Sequence, residues 1–149
     1  AGCQLVASCD LAIASNESRF ATPGVNLGLF CSTPMVALSR NVNKKNAMEM
    51  LLTGDFINAT KAKEIGLINK MVPKEELTFE VSKLAEKIAS KSSMTISIGK
   101  QAFYAQVEMD LSAAYQYTSK TMKDNLLKSD AIEGINAFIE KRSPDWRDE

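Results

Sequence analysis

The sequence contains no histidine. A Ser-His-Asp or Cys-His catalytic arrangement is therefore excluded within the chain, as is any His-ligated metal site. Cysteine is scarce too. Three residues cannot all pair, and Cys3, Cys9 and Cys31 match no zinc or redox spacing. Cys3 and Cys9 read as small buried residues, which suits a reducing compartment. Charge of one sign is also missing, with 18 Lys+Arg against 18 Asp+Glu. No basic field is available to recruit nucleic acid or an anionic membrane, so any phosphate recognition must be local. No apolar run approaches the roughly 20 residues of a membrane span, and the first residues do not read as a signal peptide.

What remains is 149 residues with 45% hydrophobic content, the size and composition of one globular domain. The least ordinary text is the opening run. Small residues at Ala1, Gly2, Cys3, Ala7 and Ser8 suit a short helix that approaches other backbones closely. Leu11 and Ile13 then alternate with Ala12 and Ala14 as in a buried strand, and a second strand is expected near Arg19-Phe20-Ala21. A turn at Pro23-Gly24 leads to a loop closed by Gly28, because Pro fixes φ and Gly tolerates positive φ.

Further on, Thr33 is expected to cap a helix through Val36 to Arg40, with Pro34 in its first turn. Lys45 to Leu52 reads as a helix with Ala47, Met48, Leu51 and Leu52 on one face, and Gly54 stops it. Asn58 caps a short helix that ends at Gly66, and Leu67 to Val72 reads as a strand ended by Pro73. From Lys74 the pattern is helical. Leu77, Val81, Leu84 and Ile88 form one stripe, Met94 to Val107 a second helix, and Asp110 caps a third carrying Leu111, Tyr115, Thr118 and Met122. Asp130 with Glu133 resembles a capping box for a last helix, whose apolar face is Ile132, Ile135, Phe138 and Ile139 and which Pro144 stops. The fold class is α/β over residues 1–72, followed by a helical region over 73–149.

Several stretches together resemble the crotonase superfamily, also called the enoyl-CoA hydratase/isomerase superfamily. They are Ala1 to Asp10, Arg19 to Gly28, Leu52-Thr53-Gly54-Asp55, Ala59-x-x-Ala62-x-x-x-Gly66-Leu67-Ile68, Val72-Pro73 and Glu133-Gly134-x-x-Ala137-Phe138-x-Glu140-Lys141-Arg142. The resemblance implies the C-terminal part of a ββα spiral followed by helices that form trimers or hexamers. Because Ala1 falls within a continuous motif of the family, the sequence is expected to be a fragment, with earlier spiral turns and any targeting region upstream. A mitochondrial matrix or a bacterial cytoplasm would be the compartment.

The implied ligand is an acyl-CoA thioester. No other cofactor and no metal is implied, since coenzyme A is part of the substrate. By position, Ala1 matches the residue whose backbone N–H stabilises the thioester enolate, and a backbone donor does not depend on the side chain. The family's hydratases also use two glutamates as general acid and base. The matching positions here are Gln4 and Gly24, so both carboxylates are absent. Gln4 can donate and accept hydrogen bonds but cannot take a proton at neutral pH. The implied activity is that of an enoyl-CoA hydratase or isomerase, a lyase or isomerase of lipid metabolism. The alternative is an acyl-CoA-binding protein with little or no turnover. Cys31 and Ser32 correspond to the loop bordering the acyl pocket, although simple loop packing accounts for them as well. Phe138 and Lys141 match a pair near the CoA nucleotide, yet they also suit the apolar stripe and the cation-favouring end of the last helix.

Overall fold

The structure, a computed structural model, describes residues 1–148. The chain divides into two compact units, Ala1–Lys83 and the residues from Leu84 on. The division falls inside the helix Leu77–Ala89, past the boundary drawn at Val72 from sequence.

In the first unit α1 (Gly2–Ser8) leads to β1 (Ile13–Ser15) and β2 (Arg19–Phe20). A 3₁₀ turn at Pro23–Leu27 follows, then α2 (Ser32–Asn41) and α3 (Lys44–Thr53). β3 (Ile57–Asn58), α4 (Ala59–Glu64) and β4 (Lys70–Val72) complete it. β1 pairs with β4 in parallel, Ile13 opposite Lys70 and Ser15 opposite Val72. Bonds from Asn69 N to the Ala12 carbonyl and from Asn16 N to the Val72 carbonyl, both 2.8 Å, extend the pairing at each end. β2 pairs antiparallel with β3. Parallel strands require a long crossover, which here contains α2 to α4. The core is made of small and aliphatic residues. Ala59 and Ala62 are fully buried on α4, and Leu38 and Leu51 are the largest deeply buried apolar side chains.

Side chains tie these elements together. Asn41 donates from Nδ2 to the Ala7 carbonyl at 2.7 Å, satisfying an acceptor near the end of α1. The buried Thr22 hydroxyl donates to the Met50 carbonyl at 2.9 Å, fixing the end of β2 to α3. Asn58 caps α4 by accepting from Lys61 N, as the sequence suggests.

Three expectations for α2, α3 and β4 need correction. Thr33 is not a cap, because α2 starts at Ser32 after Cys31 and no side chain caps it. Ser32 N already donates to the Phe30 carbonyl at 2.7 Å, which tightens the chain one residue early. On α3 the buried row is Ala47, Met50 and Leu51, whereas Met48 and Leu52 are exposed. The i, i+3, i+4 geometry that buries Met50 against Thr22 turns those two outward. The strand expected from Leu67 begins at Lys70. Leu67 N and Ile68 N donate instead to the Ala62 carbonyl, at the end of α4.

The second unit takes up α5 (Leu77–Ala89) from Leu84 and adds α6 (Ser93–Gln106), α7 (Leu111–Leu126) and α8 (Ser129–Glu140). Ser92 Oγ caps α6 by accepting from Thr95 N, and Asp110 caps α7 by accepting from Ala113 N. Ala102, Ala114 and Ala137 are the buried apolar residues of α6, α7 and α8. Leu111, Tyr115, Met122 and the expected α8 stripe of Ile132, Ile135, Phe138 and Ile139 all lie exposed.

Asp130 and Glu133 do not form a capping box. The helix starts after Lys128 without a side-chain cap, and both acids hold the C-terminal segment. Asp130 is buried and accepts from Arg147 N at 2.8 Å and Asp148 N at 3.1 Å. Glu133 accepts from both terminal nitrogens of the Arg142 guanidinium, at 2.5 and 2.9 Å, and from Asp145 N at 2.8 Å. Trp146 donates to the Ser90 carbonyl and sets its ring against Gly134, where a Cβ would lie 3.2 Å from it. Nor does Pro144 stop the helix. α8 ends at Glu140 because Lys141 is left-handed, with φ 55°.

The hydrogen bonds from Arg142, helped by Asp145 N, lower the Glu133 pKa from 4.5 to about 2. A depressed folded-state pKa contributes stability that is present above the ordinary value and disappears as pH falls through the depressed one. We expect the thermal stability of the helical unit to fall between pH 4.5 and about 2, and to fall less over that window in Glu133→Gln. Parallel melting curves against pH for the two proteins would refute this.

Candidate functional site

The first helical bond of α1 runs from Leu5 N to the Ala1 carbonyl at 3.0 Å. The N–H groups of the opening turn therefore have no carbonyl partner within the helix. The turn holds no acidic residue, and no side chain caps it. These donors lie at the positive end of the helix, an arrangement suited to an oxygen that gains negative charge. Ala1 is exposed at this end, and Gln4 sits half-buried one turn along.

Gly24 lies in the 3₁₀ turn, between Pro23 and the left-handed Gly28, φ 73°. Its own φ is not among the positive ones, so its need for glycine is spatial. A Cβ there would stand 2.6 Å from the Leu29 carbonyl oxygen and 2.7 Å from Cys31 Sγ. Two hydrogen bonds hold that approach. Leu29 N donates to the Gly24 carbonyl at 3.0 Å, and Gly24 N donates to Cys31 Sγ at 3.2 Å.

Cys31 is half-buried and packs with Cys3, Val6 and Met35 against the core of the first unit. Burial pushes the Cys3 thiol up, and nearby Cys31 adds to this. Cys9, expected to be buried, is exposed. It lies just past the end of α1, whose buried face is set by Ala7. Ser32 is exposed and donates to the Phe30 carbonyl at 3.3 Å.

A hollow of about 530 Å³ opens beside α1, lined by Gly2, Cys3, Val6, Arg19, Phe20 and Phe56 among others. Gln4, Gly24 and Cys31 do not line it. The Arg19 guanidinium stacks 4.4 Å over the Phe56 ring at its edge. That contact was not foreseen, since it joins residues far apart in the chain. Of the acids near the motif, Glu17 pairs with Lys74 at 2.9 Å on the surface. Among the described residues no group of three His, Cys, Asp or Glu side chains is placed to hold a metal ion.

Phe138 and Lys141 belong to the second unit. Phe138 is 84% exposed, more than any other large apolar side chain on α8. Lys141 N donates to the Phe138 carbonyl and Arg142 N to the Ala137 carbonyl, a Schellman ending with lysine in the place usually taken by glycine.

The family described as Enoyl-CoA hydratase/isomerase matches residues 1–149. Enoyl-CoA hydratase domain-containing protein 3, mitochondrial, of Rattus norvegicus is 58% identical over 146 residues, 98% of this chain and 49% of that protein. The crystal structure of the human protein of that name is similar at 56% identity and a TM-score of 0.95, over 97% of this chain and 57% of the other. A Mycobacterium smegmatis enoyl-CoA hydratase structure gives 50% identity and the same TM-score of 0.95, over 97% and 56%. The chain spans about half the length of the curated relatives it matches. The α/β fold is that of these crotonase structures.

The space around Gly24 sets a measurable cost. We expect Gly24→Ala to destabilise by about 1–3 kcal/mol, as overpacking against backbone does, whereas Gly2→Ala, with nothing within 4 Å of its Cβ, should be near neutral. Urea unfolding of the two variants tests this, and equal midpoints would refute it.

Proposed function

The chain belongs to the enoyl-CoA hydratase/isomerase family, and from that premise we propose that it binds an acyl-CoA thioester and stabilises the enolate formed at its α-carbon. The observation that carries this reading is the start of α1, where uncapped N–H groups meet a sequence matching the family's oxyanion-hole text. Ala1 supplies one donor. Cys31 and Ser32 border the acyl group, and Phe138 and Lys141 approach the CoA nucleotide, Lys141 meeting phosphate as a point charge. No cofactor is needed beyond the coenzyme A that the substrate carries. No helix among the described residues is long and apolar enough to cross a membrane. The relatives named mitochondrial support the mitochondrial matrix as the compartment.

Gln4 and Gly24 favour a second reading, an acyl-CoA-binding protein with little turnover. Neither residue can exchange a proton with an α-carbon or activate water. Each missing general acid or base is worth about 10²- to 10⁴-fold. The complete protein should therefore hydrate crotonyl-CoA barely above background while binding acyl-CoA. Loss of enoyl absorbance gives the rate and calorimetry the affinity. Robust hydration would transfer the chemistry to another base.

The exposed Ile132, Ile135, Phe138 and Ile139 support assembly of the complete protein as a trimer or a dimer of trimers, which would cover such faces. The left-handed Lys141 supports a role for its side chain, because strain of this kind persists where function selects it. We expect Lys141→Ala to weaken CoA binding, and Lys141→Gly to weaken it equally while raising stability by about 1 kcal/mol. Sedimentation of the complete protein as a monomer, or unchanged CoA affinity in both variants, would count against these assignments.

A further inference from the structure

We infer that Cys31 is a positioning residue whose thiol latches the Leu29–Cys31 segment over residue 24, and so keeps any side chain, a carboxylate included, out of that position. The functional half of this inference rests on reading residue 24 as a general acid or base position. The structural half does not.

The glycine at 24 is not there for its backbone freedom, because its φ is outside the left-handed region. It is there because the neighbouring segment already fills the space. A Cβ on residue 24 would lie 2.7 Å from Cys31 Sγ, closer than two such atoms approach, and 2.6 Å from the Leu29 carbonyl oxygen. Both obstacles belong to one short segment. Its near end is tied by Leu29 N to the Gly24 carbonyl, and its far end by the thiol, which accepts the Gly24 N–H at 3.2 Å. The left-handed Gly28 turns the chain back so that both ties can form.

The far tie is the one made by a side chain, so it alone is removed by substitution. Without the sulfur, the clash at 2.7 Å disappears and the Leu29 carbonyl at 2.6 Å is left as the single obstacle under 3 Å, on a segment still tied by Leu29 N to the Gly24 carbonyl and by Met35 N to the Cys31 carbonyl. Restoring a glutamate at 24 without changing Cys31 therefore places its first carbon inside the latch. The carboxylate cannot reach a productive position, whatever stands at position 4.

The test uses the complete protein in two cycles. In the first, the melting temperatures of the unmodified protein, Gly24→Ala, Cys31→Ala and the double variant are compared. Gly24→Ala should lower the melting temperature by several degrees when Cys31 is intact and by much less in the Cys31→Ala background. Equal losses overturn the latch. If Cys31→Ala folds poorly, Cys31→Gly serves in the same cycle, since it too removes both the obstructing atom and the acceptor of the Gly24 N–H. In the second, Gln4→Glu is the background for crotonyl-CoA hydration. Adding Gly24→Glu should raise kcat by about 10²-fold or more, and add an acidic limb to its pH profile, only when Cys31→Ala is also present. The same rise with Cys31 intact overturns the inference. Coupled melting temperatures with no rise in any variant uphold the latch and overturn the catalytic reading of residue 24.

Discussion

Close approach of backbones at alanine and glycine is the constraint on which both units depend. In the first unit Ala7 lets α1 lie against α2, and Ala59 and Ala62 bring α4 onto its neighbours with no exposed surface left. In the second unit Ala102, Ala114 and Ala137 do the same for α6, α7 and α8. A core built on such small side chains buries little area per residue, so dispersion contacts at short range and satisfied polar groups carry more of the cohesion. That explains the prominence of Asn41, Thr22 and Asp130, each of which supplies hydrogen bonds where two segments meet.

The same constraint explains where the large apolar side chains went. In the second unit each helix presents alanine at its buried contact and turns the neighbouring large side chains away from it. Phe103, Leu111, Tyr115 and Phe138 accordingly lie on other faces. Apolar stripes in the sequence were thus reliable signs of helix and poor guides to which row is buried. On α3 the difference is a single step around the helix, between Leu51 at 2% exposure and Leu52 at 62%.

Local chemistry was the part of the fold legible in the sequence. Asn58 and Asp110 act as caps because the bond reaches only three residues ahead. Gly54 and Gly66 end or follow helices with positive φ for reasons that need no tertiary context. Asp130 and Glu133 show the limit, since capping-box spacing is equally the spacing of two acids on one helix face. What decided between them was the chain beyond Arg142, which no local pattern announces. In the candidate site the motif text marked Ala1, Gln4, Gly24 and Cys31. The contact that makes glycine obligatory at 24 was hidden, because Cys31 is seven residues away and a turn glycine ordinarily signals φ, not space. Lys141 was hidden differently: nothing in a lysine advertises a left-handed backbone.

Among the described residues, those beyond α8 (141–148) have no regular structure of their own, yet their backbone is held as firmly as a helix end. Asp130 accepts the amides of Arg147 and Asp148 from within the helical unit, and Asp148 Oδ1 in turn accepts from Ser93 N and Met94 N at the start of α6. Trp146 closes over Gly134 between them. In amide hydrogen exchange such protons open only when α8 and the beginning of α6 come apart together. The Arg147 and Asp148 amides therefore report cooperative opening of the helical unit from a place in the sequence where fraying would ordinarily be assumed.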